Sequence, residues 1–177
     1  MRHRLIELIE REARHAENGE PGLIRIKVNN LIDEAVIEAL YAASQQGVRV
    51  ELIVRAICAL RPGIAGLSDL IAVRSILGRF LEHSRVFSFR NAGREEVYIG
   101  SADLMHRNLD RRVETLIRVD DEAARLRLSS LLDLAMRANE GVWTLGPGGS
   151  WSCLKADPSE PRIDMQRELM RHASARA

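Results

Sequence analysis

Phe80-Leu81-Glu82-His83-Ser84-Arg85-Val86-Phe87-Ser88-Phe89 is the stretch whose reading decides the fold. From Arg85 onward it is rich in aromatic and β-branched residues, which predicts a strand. Val86 to Phe89 do not alternate cleanly between apolar and polar, so this strand is expected to be buried on both faces, in the middle of a layered α/β protein. Residues two apart on a strand share a face. His83 and Arg85 are therefore expected to point the same way, an imidazole beside a permanent cation. That pair suits phosphate chemistry, because guanidinium offers forked donors to oxyanions and imidazole can attack or move a proton.

Downstream, Asn91-Ala92-Gly93 reads as a turn and Glu96–Gly100 as the returning strand of a hairpin. Residues 103–112 read as irregular, Val113–Val119 as a last core strand, and Asp120-Asp121 as the cap of a helix to about Asn139 with an apolar stripe of Leu128, Leu131, Leu132 and Ala135. Val142–Leu145 and Trp151–Leu154 form a small hairpin. Upstream, Leu23–Val28 predicts a strand, Asn29-Asn30 a turn, Asp33 the N-cap of a helix ending before Gly47, and Val48–Val54 a second strand. Strand, helix, strand in this span is a βαβ unit with a parallel sheet. Arg55 follows Val54 directly, at the carboxyl end of a strand, where α/β proteins place their sites. Ala56 to Leu70, with its prolines and glycines, reads as an ordered loop, and Ile71–Ile76 as a further strand. The division expected is an N-terminal helix or linker over residues 1–20, with Leu5, Leu8, Ile9 and Ala13 on one face and charges on the other. One domain follows over 21–155, then a flexible tail over 156–177 with at most a weak helix from Asp164 to His172.

Composition excludes several classes. The 177 residues suffice for one domain with a real core. A net charge of +1 supplies no global basic field for nucleic acid, and no apolar run is long enough to span a membrane. Of 26 basic residues only Lys27 and Lys155 are lysine, so arginine carries nearly all the positive charge. Cys58 and Cys153 make neither a disulfide framework nor a metal-spaced set, which favours the cytoplasm. The first residues lack the apolar run of a signal peptide.

Around the His83 stretch, Gly100-Ser101 offers a small residue and a hydroxyl where backbone can approach phosphate oxygens. Arg107, Arg111 and Arg112 are candidate anion donors. Asp103, Asp110 and Glu114 are candidates to orient the bases from behind.

The ordered set Val54-Arg55, Cys58, Leu60-Arg61-Pro62-Gly63, Gly78-Arg79-Phe80-Leu81-Glu82-His83-Ser84-Arg85, Ser101-Ala102-Asp103 and Arg107-Asn108-Leu109-Asp110-Arg111-Arg112-Val113-Glu114 resembles the C-terminal catalytic domain of bacterial polyphosphate kinases of the first type, from about Leu5 to Leu145. The resemblance implies a phospholipase D-like fold, a mixed β-sheet flanked by helices, as one half of a two-domain catalytic arrangement. It implies ATP/ADP and inorganic polyphosphate as substrates, reversible transfer of the terminal phosphate, and Mg²⁺ whose ligands lie outside this chain. The family's phosphohistidine belongs to the preceding domain. His83 matches the second histidine, catalytic and at the nucleotide, and Arg55 an arginine that contacts ATP. Arg85, Ser101, Arg111 and Arg112 are then expected at phosphate or polyphosphate, with Asp103, Asp110 and Glu114 behind them.

Ala56 stands where the family commonly has glycine, Val28-Asn29-Asn30 replaces a Met-Asn pair, and the segment after Asn139 departs from the family's ending. Arg85 replaces the lysine of phospholipase D proper and Arg90 stands in place of an aspartate, which argues against a plain phosphodiesterase. Three readings remain at this point. The chain is half of a kinase that requires preceding domains, a single-motif phosphodiesterase or nuclease that dimerises, or a non-catalytic polyphosphate-binding module.

Overall fold

The computed structural model describes residues 1–174. Its elements in chain order are α1 (Arg2–Glu17), β1 (Leu23–Val28), α2 (Glu34–Gln45), β2 (Arg49–Val54), β3 (Ile71–Ile76), β4 (Arg85–Phe89), β5 (Glu96–Gly100), α3 (His106–Arg111), β6 (Leu116–Arg118), α4 (Glu122–Arg137), β7 (Val142–Leu145), β8 (Trp151–Cys153) and α5 (Met165–Ser174). The eight strands make one mixed sheet in the order β6-β5-β4-β1-β2-β3-β7-β8. β1, β2 and β3 run parallel, and β4 turns back antiparallel along β1.

The period of two sorts each strand between two cores. Ile24, Ile26 and Val28 of β1 join Phe87 and Phe89 of β4 in one core, with Leu5, Leu8 and Ile9 of α1 and Val36 and Leu40 of α2 packed on it. Val86, Ile53, Ile76 and Val97 face the other way, onto Leu132 and Ala135 of α4 and Met165 of α5. β4 is buried on both faces because helices cover both, as its composition predicts. Asp33 caps α2 by accepting from the Val36 amide, and Asp121 caps α4 by accepting from Ala124.

Topology then brings several of the candidate residues to one edge. β1 and β2 end on the sheet edge where antiparallel β4 begins and β5 ends, with Lys27 opposite Val86 and Arg85 opposite Gly100. Asn29, Arg55, His83 and Ser101 all leave the sheet at this edge.

Four expectations are corrected. Residues 106–111, read as irregular, form the short helix α3. The strand expected over 113–119 is three residues at the sheet edge, with Val113 fully exposed and Ile117 half-exposed, because only Tyr98, Ile99 and Gly100 are there to pair with it. α1 is the helix alternative of the N-terminal expectation, with Leu5, Leu8 and Ile9 in the core, but its Glu12 is buried against the expectation of a solvated charged face. That carboxylate accepts from the amides of Asn91 and Leu23, so it ties the β4–β5 turn to the start of β1. Beyond Ala156 the chain returns, and α5 buries Met165 and Gln166 where a free tail was expected. Residues 175–177 of that tail lie outside the described residues.

Phe87 is fully buried at the centre of the sheet. Phe87→Ala is expected to lower unfolding stability by about 3–5 kcal/mol in urea titration, the range for emptying a buried phenyl site.

Candidate functional site

The site is built around the carboxylate of Asp103, which is 6% exposed. β5 delivers it just past Gly100 and Ser101, across from the carboxyl end of β1. Its Oδ1 accepts from the backbone amides of Asn29 at 2.8 Å and Asn30 at 3.3 Å. Its Oδ2 accepts from the side-chain amides of the same two residues, at 3.1 and 3.3 Å. Arg85 closes the arrangement in a forked contact, Nε to Oδ1 at 3.3 Å and Nη2 to Oδ2 at 3.2 Å. Burial pushes the Asp103 carboxyl up, but the hydrogen bonds from Arg85 and Asn29 outweigh it and hold it below the usual carboxylate range.

Arg85 reaches His83 with its remaining nitrogen. Nη1 donates to the His83 carbonyl at 3.1 Å and stands 3.2 Å from both ring nitrogens. His83 and Arg85 therefore do meet, although His83 lies in the loop before β4 and is itself exposed. On the other side, Asn29 Oδ1 accepts from Arg55 Nε at 3.1 Å. One asparagine side chain thus links Arg55 to Asp103, and through it to Arg85 and His83. Among the described residues the Nη groups of Arg55 make no hydrogen bond, which leaves its fork available for an anion.

Lys27 lies beneath the same rim, 1% exposed on β1. Nζ pairs with Glu82 at 3.0 Å and donates to Ser84 Oγ at 2.8 Å. Burial lowers its proton affinity, Glu82 partly restores it, and the charges of Arg55 and Arg85 lower it further. Lys27, Arg55 and Arg85 thus lie within electrostatic reach of one another, with Lys27 paired to Glu82 and Arg85 to Asp103.

The other expected residues divide. Ser101 Oγ donates to Glu114 and accepts from the Thr115 amide at 3.0 Å, so its hydroxyl pins the α3–β6 connection. Glu114 also accepts from Asn108 at 2.6 Å. The Ser101 hydrogen bond is the main cause of its lowered carboxyl value, with further lowering from Asn108 and from the charges of Arg112 and Arg85. Arg111 is exposed as the last residue of α3, and Arg112 is exposed just past it. Asp110 is not brought to the histidine. Its carboxylate binds Arg2 of α1 at 2.5 and 2.6 Å and His106 at 3.1 Å, so it ties α3 to α1.

The sequence profile of the family described as Polyphosphate kinase C-terminal domain 2 matches residues 1–166. This chain belongs to that family. The polyphosphate kinase of Streptomyces coelicolor is 52% identical over 171 residues, covering 96% of this chain and 23% of that protein. That of Mycobacterium avium is 54% identical over 172 residues, with the same shares covered. The crystal structure of polyphosphate kinase from Porphyromonas gingivalis matches at a TM-score of 0.95 and 36% identity, over 99% of this chain and 27% of that one. NucT from Helicobacter pylori, at 11% identity and a TM-score of 0.52 over 74% of this chain and 88% of its own, shows a shared fold alone. The chain therefore spans roughly a quarter of the polyphosphate kinases it matches.

In this polyphosphate kinase domain, sequence reasoning missed Asn29, Lys27 and Glu82 as members of the rim network. Asn29-Asn30 looked like a turn, although their place at the carboxyl end of a parallel strand was a usable signal. Lys27 carried one too, since it is one of only two lysines and sits inside an apolar strand.

Removing the Asp103 carboxylate strands a guanidinium and two backbone amides, so Asp103→Ala is expected to cost about 3–5 kcal/mol at neutral pH. Because the folded value is depressed, the carboxylate's contribution is complete above the unfolded value near 3.9 and is lost as pH falls through the folded one. Urea unfolding of both proteins from about pH 7 to pH 3 should show their stabilities converging only below about pH 4.

Proposed function

We propose that this chain forms one half of a composite polyphosphate kinase site, where the terminal phosphoryl group of ATP passes reversibly to inorganic polyphosphate, giving ADP and a chain longer by one phosphate. The observation that carries this reading is the convergence of His83, Arg85 and Arg55 on one rim through Asn29 and Asp103, in a chain about half identical to polyphosphate kinases. Phosphoryl transfer asks a protein mainly for positioning and charge neutralisation. Arg55 grips ATP phosphates with its open fork. His83 moves a proton at the transferring group or holds it. Arg85 neutralises charge beside His83, while Arg111 and Arg112 at the end of α3 extend the positive surface along which polyphosphate lies. Asp103 and Glu114 hold these donors from behind, and Ser101 acts through Glu114.

Mg²⁺ is assigned to the nucleotide rather than to this chain. Both Asp103 oxygens already accept from N–H donors. No step here runs through the ion. The other half of the site we assign to preceding kinase domains. Among the described residues no helix is long and apolar enough to cross a membrane. Cys58 and Cys153 are free thiols, and burial pushes Cys58 up to about 11, in keeping with the cytoplasmic location we assign.

The test is ATP formation from ADP, Mg²⁺ and long-chain polyphosphate. The chain alone is expected to bind polyphosphate, with affinity falling steeply as salt is raised, and to turn nothing over. Joined to the preceding domains of a polyphosphate kinase it should gain activity that His83→Ala abolishes. Turnover by the isolated chain as a dimer, or phosphodiester cleavage without kinase activity, would overturn the half-site reading. Arg55→Ala should weaken ATP binding by about 10- to 100-fold, the worth of a charge-assisted contact, with a smaller loss of unfolding stability because Asn29 Oδ1 is left without its donor.

A further inference from the structure

We infer that Gln166, on the helix α5 that covers the opposite face of the sheet, is a positioning residue for His83. The inference rests on the reading of His83 as a working residue of the phosphate site.

Residues 77–84 form neither helix nor strand. Phe80 and Leu81 are 51% and 69% exposed, so apolar burial does not hold this loop in place. Its hold is polar. Gln166 Oε1 accepts from the Phe80 amide at 2.9 Å, and Nε2 donates to the Phe80 carbonyl at 2.8 Å. The side chain thus pairs with one backbone residue from both ends, as a neighbouring strand would. Nε2 also donates to Glu82 Oε1 at 2.7 Å. The other Glu82 oxygen receives Lys27 Nζ, which continues to Ser84 Oγ. Residues 80, 82 and 84 are each tied down in one connected network, and His83 is carried between the last two.

Glutamine suits this position. A primary amide offers one acceptor and two N–H donors, and all three functions are engaged here. Glutamate lacks the donors and lysine lacks the acceptor. The site is also shaped around the amide, since a Cβ at Gly78 would collide with the Gln166 carboxamide. Gln166 is 6% exposed and adjoins Met165, whose burial against α4 fixes the helix. The C-terminal helix therefore belongs to the working site, although it approaches from the face opposite α1 and α2.

The experiment uses the 177-residue chain and two variants. Gln166→Leu and Gln166→Met each remove all three hydrogen bonds at similar volume, so either can carry the test should the other fail to fold. Amide hydrogen exchange at Phe80 is compared with that at Ile26 and Leu52, together with the ring signals of His83 by NMR and the affinity for long-chain polyphosphate. Phe80 exchange is expected to rise by about tenfold or more, the equivalent of one or two lost hydrogen bonds, with Ile26 and Leu52 unchanged. The His83 ring signal should broaden and polyphosphate affinity should fall by about 3- to 10-fold. The reversed pair Glu82→Gln with Gln166→Glu restores a donor to an acceptor across the same gap and should recover part of both.

Unchanged Phe80 exchange would overturn the inference, as would a rise shared equally by Ile26 and Leu52, which marks a general prop of the fold. Loosening of the loop with no change in the His83 signal or in affinity would also overturn it, while leaving the functional reading intact. A wild-type chain that binds neither ATP nor polyphosphate, with Phe80 and His83 still loosened in the variants, would instead uphold the hold on the histidine and sink the phosphate reading.

Discussion

The buried carboxylate of Asp103 is the contact on which the rest of this molecule's working edge depends. Backbone amides at the end of β1 and a guanidinium at the start of β4 are pointed toward each other by the sheet, and both are donors. Without an acceptor between them the edge would carry unpaired amides beside an uncompensated charge, each a cost of kilocalories. One carboxylate satisfies both sets, and in doing so fixes the rotamer of Arg85 and the orientation of Asn29. His83 and Arg55 are placed as consequences, one on each side.

The cations of this rim are held in place by acids. Asp103, Glu82 and Glu114 lie behind or beside the cations and engage the N–H and hydroxyl groups that orient them. Arg55 keeps its fork free, and Arg111 and Arg112 stay exposed. On the proposed reading, a polyanion arriving at this edge would meet donors already in position and would not have to organise them. That preorganisation is what phosphoryl transfer requires of a protein. Membership of the Polyphosphate kinase C-terminal domain 2 family agrees with this arrangement, and a chain of this length holds only part of what the larger family members contain.

The two helical layers have different relations to the site. α1 and α2 on one face supply most of the apolar burial, with Glu12 and Arg2 reaching out to tie down the β4–β5 turn and α3. α4 and α5 on the other face build a smaller core, yet α5 reaches the loop that carries the histidine. A loop with half-exposed Phe80 and Leu81 owes little to the hydrophobic effect. Its order comes from directional bonds to groups that burial elsewhere has made rigid.

The sequence by itself determined the elements and much of the site. The apolar, β-branched and aromatic composition of 23–28, 48–54 and 85–89, the capping aspartates at 33 and 121, and the turn at Asn91-Ala92-Gly93 are local signals, and local signals survive in one dimension. The pairing of His83 with Arg85 was legible for the same reason, because two residues apart on an extended chain means one face. Tertiary structure decided what depends on contacts between distant segments. Asp103 serves Arg85 while Asp110, in the same charged run, serves Arg2, and nothing in their spacing distinguishes them. Ser101 looks free in sequence and is engaged by Glu114 in the fold. Lys27 acquires its partner from residue 82, and the Phe80 backbone acquires its own from Gln166, 86 residues away in the chain. Hydrogen bonds of that reach have no periodicity to betray them, since they are set by where the sheet and its covering helices bring two surfaces together.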